Sequence, residues 1–184
     1  SGKAGCGERR KGEVDGKASG IDGSGTASSG KAGTQVEAEF GRLDSLVNNA
    51  GVMLDDREKK PSEQSLDVWR KTFDTNLFGL IATTQAFLPL LRKSEAGRIV
   101  NLTSILGSIH FHATPGSPVY DNKVAAYNVS KSAVNAFTVQ LADGLTDTKE
   151  KINAAQPGWG QTERGGGGAP AETEGGAKTS GQQR

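Results

Sequence analysis

The chain has 184 residues, which suits one domain, but only 34% of them are hydrophobic and 26 are glycine, so core-forming residues are scarce. The net charge of +1 gives no electrostatic reason to expect a nucleic acid or an anionic membrane as a partner. Cys6 is the only cysteine, which excludes an intrachain disulfide, and no apolar run is as long as a membrane span or a signal-peptide core. We expect a soluble, cytoplasmic protein.

The two ends of the chain are rich in glycine. Residues 1–33 show no hydrophobic periodicity and are predicted to be irregular or disordered. Gly16–Ile21 matches part of a glycine-rich phosphate-binding turn, but no apolar strand precedes it and no amphipathic helix follows, which favours a chance match. Residues 164–184 are predicted to form a tail. The predicted core is therefore 34–163.

Strands and helices alternate within this core. Thr34 resembles an N-cap and Gly41 a C-terminal stop, which predicts a short helix between them. Apolar residues recur at helical spacing over 65–93 and again over 127–145. The short aliphatic runs that predict buried parallel strands are 43–47, 99–103 and 152–155. This alternation predicts an α/β fold with a parallel sheet.

A polar or glycine-containing turn follows each predicted strand. Asn48–Gly51 follows the first strand, Ser104 the second and Pro157–Thr162 the third. Because ligands collect beyond the carboxyl ends of parallel strands, we expect the three turns to share one edge of the sheet. The alternative for Asn48–Gly51 alone is an ordinary Asn/Gly turn.

Tyr127 and Lys131 are four residues apart in a predicted helix, so their side chains should lie on one face. An ammonium near a phenol lowers the pKa of the phenol, and such a tyrosine can transfer a proton to or from a substrate oxygen. A serine hydroxyl at Ser104 could hold the same oxygen. This combination favours carbonyl–alcohol chemistry. Asn76, inside the long helix, is either a hydrogen-bonded core residue or part of this site.

His110 and His112 lie between Ser104 and Tyr127. The pair suggests a metal site, but two imidazoles without a third ligand nearby are weak support for one. We therefore predict loop histidines and no metal.

Taken in order, Asn48-Asn49-Ala50-Gly51, Asn76, Ser104, the Tyr127/Lys131 pair and Pro157-Gly158 resemble the motifs of the short-chain dehydrogenase/reductases. The resemblance is closest to carbonyl-reductase-like and 3-oxoacyl-reductase-like members, which have a long segment before the tyrosine. It implies a Rossmann-like doubly wound parallel sheet, here incomplete in its N-terminal half. The long segment before Tyr127 implies a monomer.

The resemblance also implies a reaction. A carbonyl substrate would be reduced by a nicotinamide cofactor, NADP(H) in preference to NAD(H). Tyr127 would protonate the oxygen, Ser104 would hydrogen-bond it, Lys131 would assist Tyr127, and Asn76 would hold a water linked to Lys131. The implied cofactor-binding residues are Asn48, Ala50, Gly51, Tyr127, Lys131, Pro157, Gly158 and Thr162. The alternative is an inactive relic or scaffold without a working dinucleotide cradle; an unrelated α/β binding module would require all these motifs to coincide by chance.

Overall fold

Three parallel strands form a sheet in the part of the chain that the structure, a computed structural model, describes, residues 26–157. The strands are β1 (Ser45–Asn48), β2 (Arg98–Leu102) and β3 (Lys151–Ala155), in the order β1-β2-β3. Both strand pairs are parallel, as the sequence predicts. Residues 1–25 and 158–184 lie outside the described residues, and so do the predictions made for Gly16–Ile21 and for the tail at 164–184.

Helices occupy most of the remaining described chain. Their bounds are α1 (Thr26–Phe40), α2 (Leu66–Phe73), α3 (Leu80–Leu91), α4 (Ile109–Ala113) and α5 (Ala125–Gly144). A π-helical turn, Asp74–Gly79, joins α2 to α3, so the long helix predicted over 65–93 is confirmed as one continuous helical segment. Short 3₁₀ turns lie at Pro61–Glu63 and Ile105–Gly107.

The first helix begins earlier than predicted. It starts at Thr26, not at Thr34, so residues 26–33 are helical although the sequence predicts an irregular segment there. Thr34 is not an N-cap; its hydroxyl donates to the carbonyl of Gly30 at 3.1 Å, one helical turn earlier. The predicted end is correct, because Gly41 adopts φ 72° and its N–H donates to the carbonyl of Glu37 at 2.9 Å.

The helices that cross between strands pack on one face of the sheet. Both crossovers, β1 to β2 and β2 to β3, move in the same direction, so right-handed connections place α3 and α5 on the same side. Leu46, Ile99 and Ile152 are register partners across the three strands, and all three are buried in the core on that side. Within residues 26–157, one of the two helical layers of a doubly wound fold is present.

The core combines one row of strand residues with the inner faces of three helices. Its buried members are Ala32, Leu46, Phe87, Leu90, Leu91, Ile99, Leu145 and Ile152. Burying such side chains contributes roughly 1.5–3 kcal/mol each for the larger ones. No helix between residues 26 and 157 is both long and apolar enough to span a bilayer.

Candidate active site

Tyr127 and Lys131 lie together on the inner face of α5. Their side chains are 7% and 4% exposed, and the ammonium of Lys131 is 5.8 Å from the centre of the Tyr127 ring. The four-residue spacing therefore brings the phenol and the amine to one helix face, as predicted.

Lys131 connects α5 to the carboxyl end of β2. Its ammonium donates to the carbonyl of Leu102, the last residue of the strand, at 2.7 Å. The hydroxyl of Thr103 donates back to the carbonyl of Lys131 at 3.5 Å. These contacts hold the amine at the strand end from which Ser104 emerges.

Ser104 is the second residue after this strand end and is half-buried. Its side-chain oxygen accepts the N–H of Leu106 at 3.2 Å and so caps the turn Ile105–Gly107. That turn lies against α5, since a Cβ added to Gly107 would be 2.9 Å from the carbonyl carbon of Lys131. Ser104 and Lys131 are thus positioned by one tight contact between a turn and a helix.

Asn76 lies in the π-helical turn and is fully buried. Its side-chain oxygen accepts the N–H of Val52 at 2.7 Å, and its amide nitrogen donates to the carbonyl of Val52 at 2.9 Å and to the hydroxyl of Ser130 at 2.9 Å. Ser130 in turn donates to the carbonyl of Tyr127 at 2.7 Å. The amide joins the segment after β1 to α5, which agrees with a hydrogen-bonded core asparagine; the water-linking role stays a prediction. π-helical turns of this kind are frequent at functional sites.

Asp55 supports the helix that carries Tyr127, and the sequence analysis missed it. Its two carboxylate oxygens accept the N–H groups of Ala126, at 2.7 Å, and Tyr127, at 3.0 Å. It therefore caps α5 from a distant loop, where the preceding residue, Val124, makes no side-chain cap. The helical pattern carries no signal for this cap, because its two partners lie more than seventy positions from Asp55.

Asn48 belongs to a buried polar network at the ends of the strands. Its amide donates to Asn101 at 2.8 Å and to Thr84 at 3.0 Å, and the amide of Asn101 donates to Thr138 at 2.9 Å. This chain of bonds links β1 and β2 to α3 and α5. Asn48 is predicted to bind cofactor, but the amide nitrogen of its side chain hydrogen-bonds to Asn101 and Thr84 and so supports the strands.

Of the other residues predicted to bind cofactor, some lie in described turns and some lie outside the described residues. Ala50 is exposed and Gly51 half-buried, and both follow β1 at the same edge of the sheet as Ser104. Pro157 is half-buried and follows β3 at that edge. Gly158 and Thr162 lie outside the described residues. The three described turns therefore converge on one edge, as parallel strands require.

The two histidines lie in α4, not in a loop. The Nε2 atom of His112 lies 3.0 Å from the carbonyl of Leu106. Among residues 26–157, no group of three or more His, Cys, Asp or Glu side chains is arranged to hold a metal ion.

Comparison with known proteins adds independent information. A family model described as short chain dehydrogenase matches residues 10–167, a range that extends beyond both ends of the predicted core. The chain is 39% identical over 148 residues to a short-chain dehydrogenase of Penicillium roqueforti, covering 78% of this chain and 57% of that protein. It is 34% identical over 121 residues to the 3-oxoacyl-[acyl-carrier-protein] reductase of a Synechocystis strain, covering 66% of this chain and 44% of that protein.

Solved structures agree with these sequence matches. The NADPH-bound carbonyl reductase from chicken fatty liver superposes with a TM-score of 0.70 at 26% identity, covering 79% of this chain and 59% of that chain. The chain spans about half the length of the curated relatives that it matches.

Proposed function

The chain belongs to the short-chain dehydrogenase family, and from that membership we propose that it reduces a ketone or aldehyde to an alcohol by hydride transfer from NADPH. The arrangement that carries the proposal is the buried Tyr127–Lys131 pair, held at the strand end from which Ser104 emerges. The proposed catalytic core is residues 34–163, extended to Thr26 by the observed start of α1, with flanking segments 1–25 and 164–184.

The donor groups at this edge fit the nicotinamide end of a dinucleotide. An ammonium suits ribose hydroxyls, a serine hydroxyl suits a carbonyl oxygen, and the small residues Ala50 and Gly51 permit close backbone approach. We propose that Lys131 holds the ribose, while Asn48, Ala50, Gly51, Pro157, Gly158 and Thr162 contribute the surrounding turns. The NADPH in the carbonyl reductase structure favours NADP(H) over NAD(H) here. When bound, the cofactor supplies the hydride.

In the proposed reaction, Tyr127 gives its phenolic proton to the carbonyl oxygen as charge develops there. Ser104 donates a hydrogen bond to the same oxygen and stabilises that charge. The ammonium of Lys131, 5.8 Å from the Tyr127 ring, stabilises the phenolate that remains. Asn76 is a positioning residue, because its bonds to Val52 and Ser130 fix the backbone around Tyr127.

We also propose that the protein acts as a monomer in the cytoplasm. The segment between Ser104 and Tyr127 packs on α5, where the carbonyl of Gly107 accepts the hydroxyl of Ser132 at 3.0 Å and the amide of Asn135 at 3.4 Å. This contact covers part of the helix face that a second copy could otherwise use. The lone cysteine, Cys6, fits a reducing compartment.

The proposal is tested by Tyr127→Phe, with NADPH oxidation measured on a reactive α-dicarbonyl. We expect kcat/KM to fall by about 10²–10⁴, the usual contribution of a general acid, while NADPH affinity stays near that of the wild type. Tyr120→Phe is the matched control, since Tyr120 is the other tyrosine of the sequence and also has a lysine close to its ring, with the Lys123 ammonium 4.5 Å from the ring centre. Unchanged turnover in Tyr127→Phe would reject the assigned role.

The composition of residues 1–33 supports a second candidate, an inactive relic or scaffold. No apolar strand precedes the glycine-rich match in that segment, so a dinucleotide cradle has little sequence support there. A titration with NADPH separates the two candidates. A saturable fluorescence change or thermal shift supports the reductase, and its absence in the folded chain supports the relic.

A further inference from the structure

Side-chain amides hold both ends of the segment Val52–Asp56, which we call the clamped segment. At its first residue, the N–H and the carbonyl of Val52 both bond to the amide of Asn76. At its last residue, the N–H of Asp56 donates to the side-chain oxygen of Gln64 at 3.3 Å, and the side-chain nitrogen of Gln64 donates to the carbonyl of Asp56. Each amide therefore satisfies the backbone donor and the backbone acceptor of one residue, as a neighbouring strand would.

Gln64 is itself fixed in place. It is 9% exposed, and burial of an amide is unfavourable unless both of its ends are hydrogen-bonded, as they are here. On one side of it, the backbone N–H of Lys60 donates to the carboxylate of Glu63 at 2.9 Å and closes the preceding turn. On the other side, Ser65 caps α2 by accepting the N–H of Val68 at 3.3 Å. Gln64 is thus a rigid anchor for the end of the clamped segment.

Asp55, the neighbour of the residue that Gln64 holds, makes the contact between the clamped segment and α5. Its carboxylate accepts the N–H groups of Ala126 and Tyr127 at 2.7 Å and 3.0 Å. The first N–H groups of a helix have no partner within the helix, so these two bonds fix where α5 begins. Tyr127 is therefore held at its own backbone by this carboxylate, and a displacement of the carboxylate would displace the phenol.

We propose that Gln64 is a positioning residue for the proposed reduction, an inference that rests on the function proposed above. By holding Asp56, Gln64 keeps the adjacent carboxylate of Asp55 where the start of α5 requires it. The start of α5 in turn sets the phenol of Tyr127 against Ser104. The effect on the rate follows because a misplacement of about 1 Å at a reacting group can cost about 10²-fold.

A double-mutant cycle in kcat tests this route, under conditions in which circular dichroism shows every variant to be folded. Gln64→Met keeps the length of the side chain and removes both bonds, so kcat should fall about 3–10-fold while NADPH affinity stays within about twofold of the wild type. Asp55→Ala should lower kcat by about 10–10²-fold. In the Asp55→Ala background, Gln64→Met should have little further effect, because the contact through which it acts is already lost.

Amide hydrogen exchange tests the positioning without any substrate. N–H groups in the first turn of an uncapped helix exchange readily with solvent, so slow exchange at Ala126 and Tyr127 reports the bonds to the carboxylate. We expect Gln64→Met and Asp55→Ala to speed exchange at these two positions by at least about threefold, while Val134, in the middle of α5, is unchanged. A role in overall stability alone would speed exchange at Val134 as well.

Two variants serve as matched controls. Gln140→Met makes the same replacement at an exposed position of α5. Asp56→Asn removes a charge next to Asp55, from a carboxylate that instead accepts the N–H of Glu58 at 3.1 Å and lies 3.4 Å from the ammonium of Lys59. Both variants should match the wild type in kcat and in exchange at the start of α5.

The inference and the proposed function can fail separately. Unchanged kcat in Gln64→Met, or an equal loss from this replacement with and without Asp55, would overturn the inference in an enzyme whose activity still depends on Tyr127. Unchanged exchange at Ala126 and Tyr127 in Gln64→Met would overturn it as well. If the wild type reduces no carbonyl, the proposed function fails, and the exchange measurement alone decides whether Gln64 positions Tyr127.

Discussion

Replacing Asp55 with alanine removes the carboxylate that caps α5, the helix that carries Tyr127. The two bonds lost are 2.7 Å and 3.0 Å long, and Val124 provides no substitute cap. Losing an N-cap costs about 0.5–2 kcal/mol, and hydrogen bonds to a charged group contribute about 1.5–3 kcal/mol. Because Asp55 is half-buried, water can partly replace it, and we expect a loss of about 2 kcal/mol in the free energy of unfolding.

Urea unfolding followed by circular dichroism measures this loss as a lower midpoint with an unchanged slope. For a chain of this size the Tm should fall by about 4–8 °C. Asp143→Ala is the matched control, because Asp143 is exposed in the last turn of the same helix, where a negative charge opposes the helix dipole. Its midpoint should stay the same or rise slightly. Identical midpoints for the two variants would refute the capping argument.

Three other changes test the contacts around the site. Gly107→Ala should lower the free energy of unfolding by about 1–3 kcal/mol, because the new methyl would lie 2.9 Å from the carbonyl carbon of Lys131. Its control, Gly30→Ala, lies in open space within α1 and should raise the free energy of unfolding by about 0.5–1 kcal/mol. Equal effects of the two variants in urea unfolding would contradict this argument. Asn101→Leu should cost about 2–4 kcal/mol because it removes two buried hydrogen bonds, those to Asn48 and Thr138, and a thermal scan matching the wild type would exclude that role. The hydrogen bond and charge of Asp67 raise the pKa of Lys71 above its ordinary value of 10.5, so the stability from this pair is present below that pH and is lost as the pH rises through the folded-state pKa. Between about pH 5 and 9 the urea midpoints of Lys71→Met should therefore differ from those of the wild type by a constant amount. A difference that changes within this pH range would show that the Lys71–Asp67 pair does not account for the effect of the substitution.

The sequence predicted those elements whose signal is periodic. The second strand, predicted over 99–103, is observed over Arg98–Leu102, and the helix predicted over 127–145 is observed over Ala125–Gly144. Short aliphatic runs and three- and four-residue steps are properties of the segment itself, so they can be read without knowing the neighbours. The parallel order of the strands followed from the alternation of strands and helices.

The start of α1 could not be predicted in this way. Residues 26–33 are mostly small, and Gly30 and Gly33 weaken their intrinsic preference for a helix. The structure shows what stabilises them: Ala32 is buried, and Gly33 approaches so closely that an added Cβ would lie 3.3 Å from the carbonyl oxygen of Ala86. Small residues permit this contact between α1 and α3, so tertiary packing overrides a poor local pattern.

In the candidate site, too, the features that depend on local spacing could be predicted and those that depend on long-range contacts could not. Tyr127 and Lys131 were predicted to share a face because their spacing is local. Asp55 stands in a run of charged residues that is indistinguishable from an ordinary solvated loop, and its partners are more than seventy positions away. Asn101 likewise is a single polar residue within an aliphatic strand. Its role as a hydrogen-bond partner is evident only once the fold brings Asn48 beside it. Long-range hydrogen bonds of this kind leave no periodic trace in a sequence.

The wide turn at Asp74–Gly79 makes the length of its segment as important as its composition. A π-helical turn holds about one residue more than an α-helical turn, so deleting a single residue there would close the wide turn into a regular helix and redirect the side chains within it. Asn76 would then point away from Val52 and Ser130 even though its identity was unchanged. This stretch should therefore accept many exposed substitutions but no change in residue count, so an insertion or deletion there would damage the site more than most replacements.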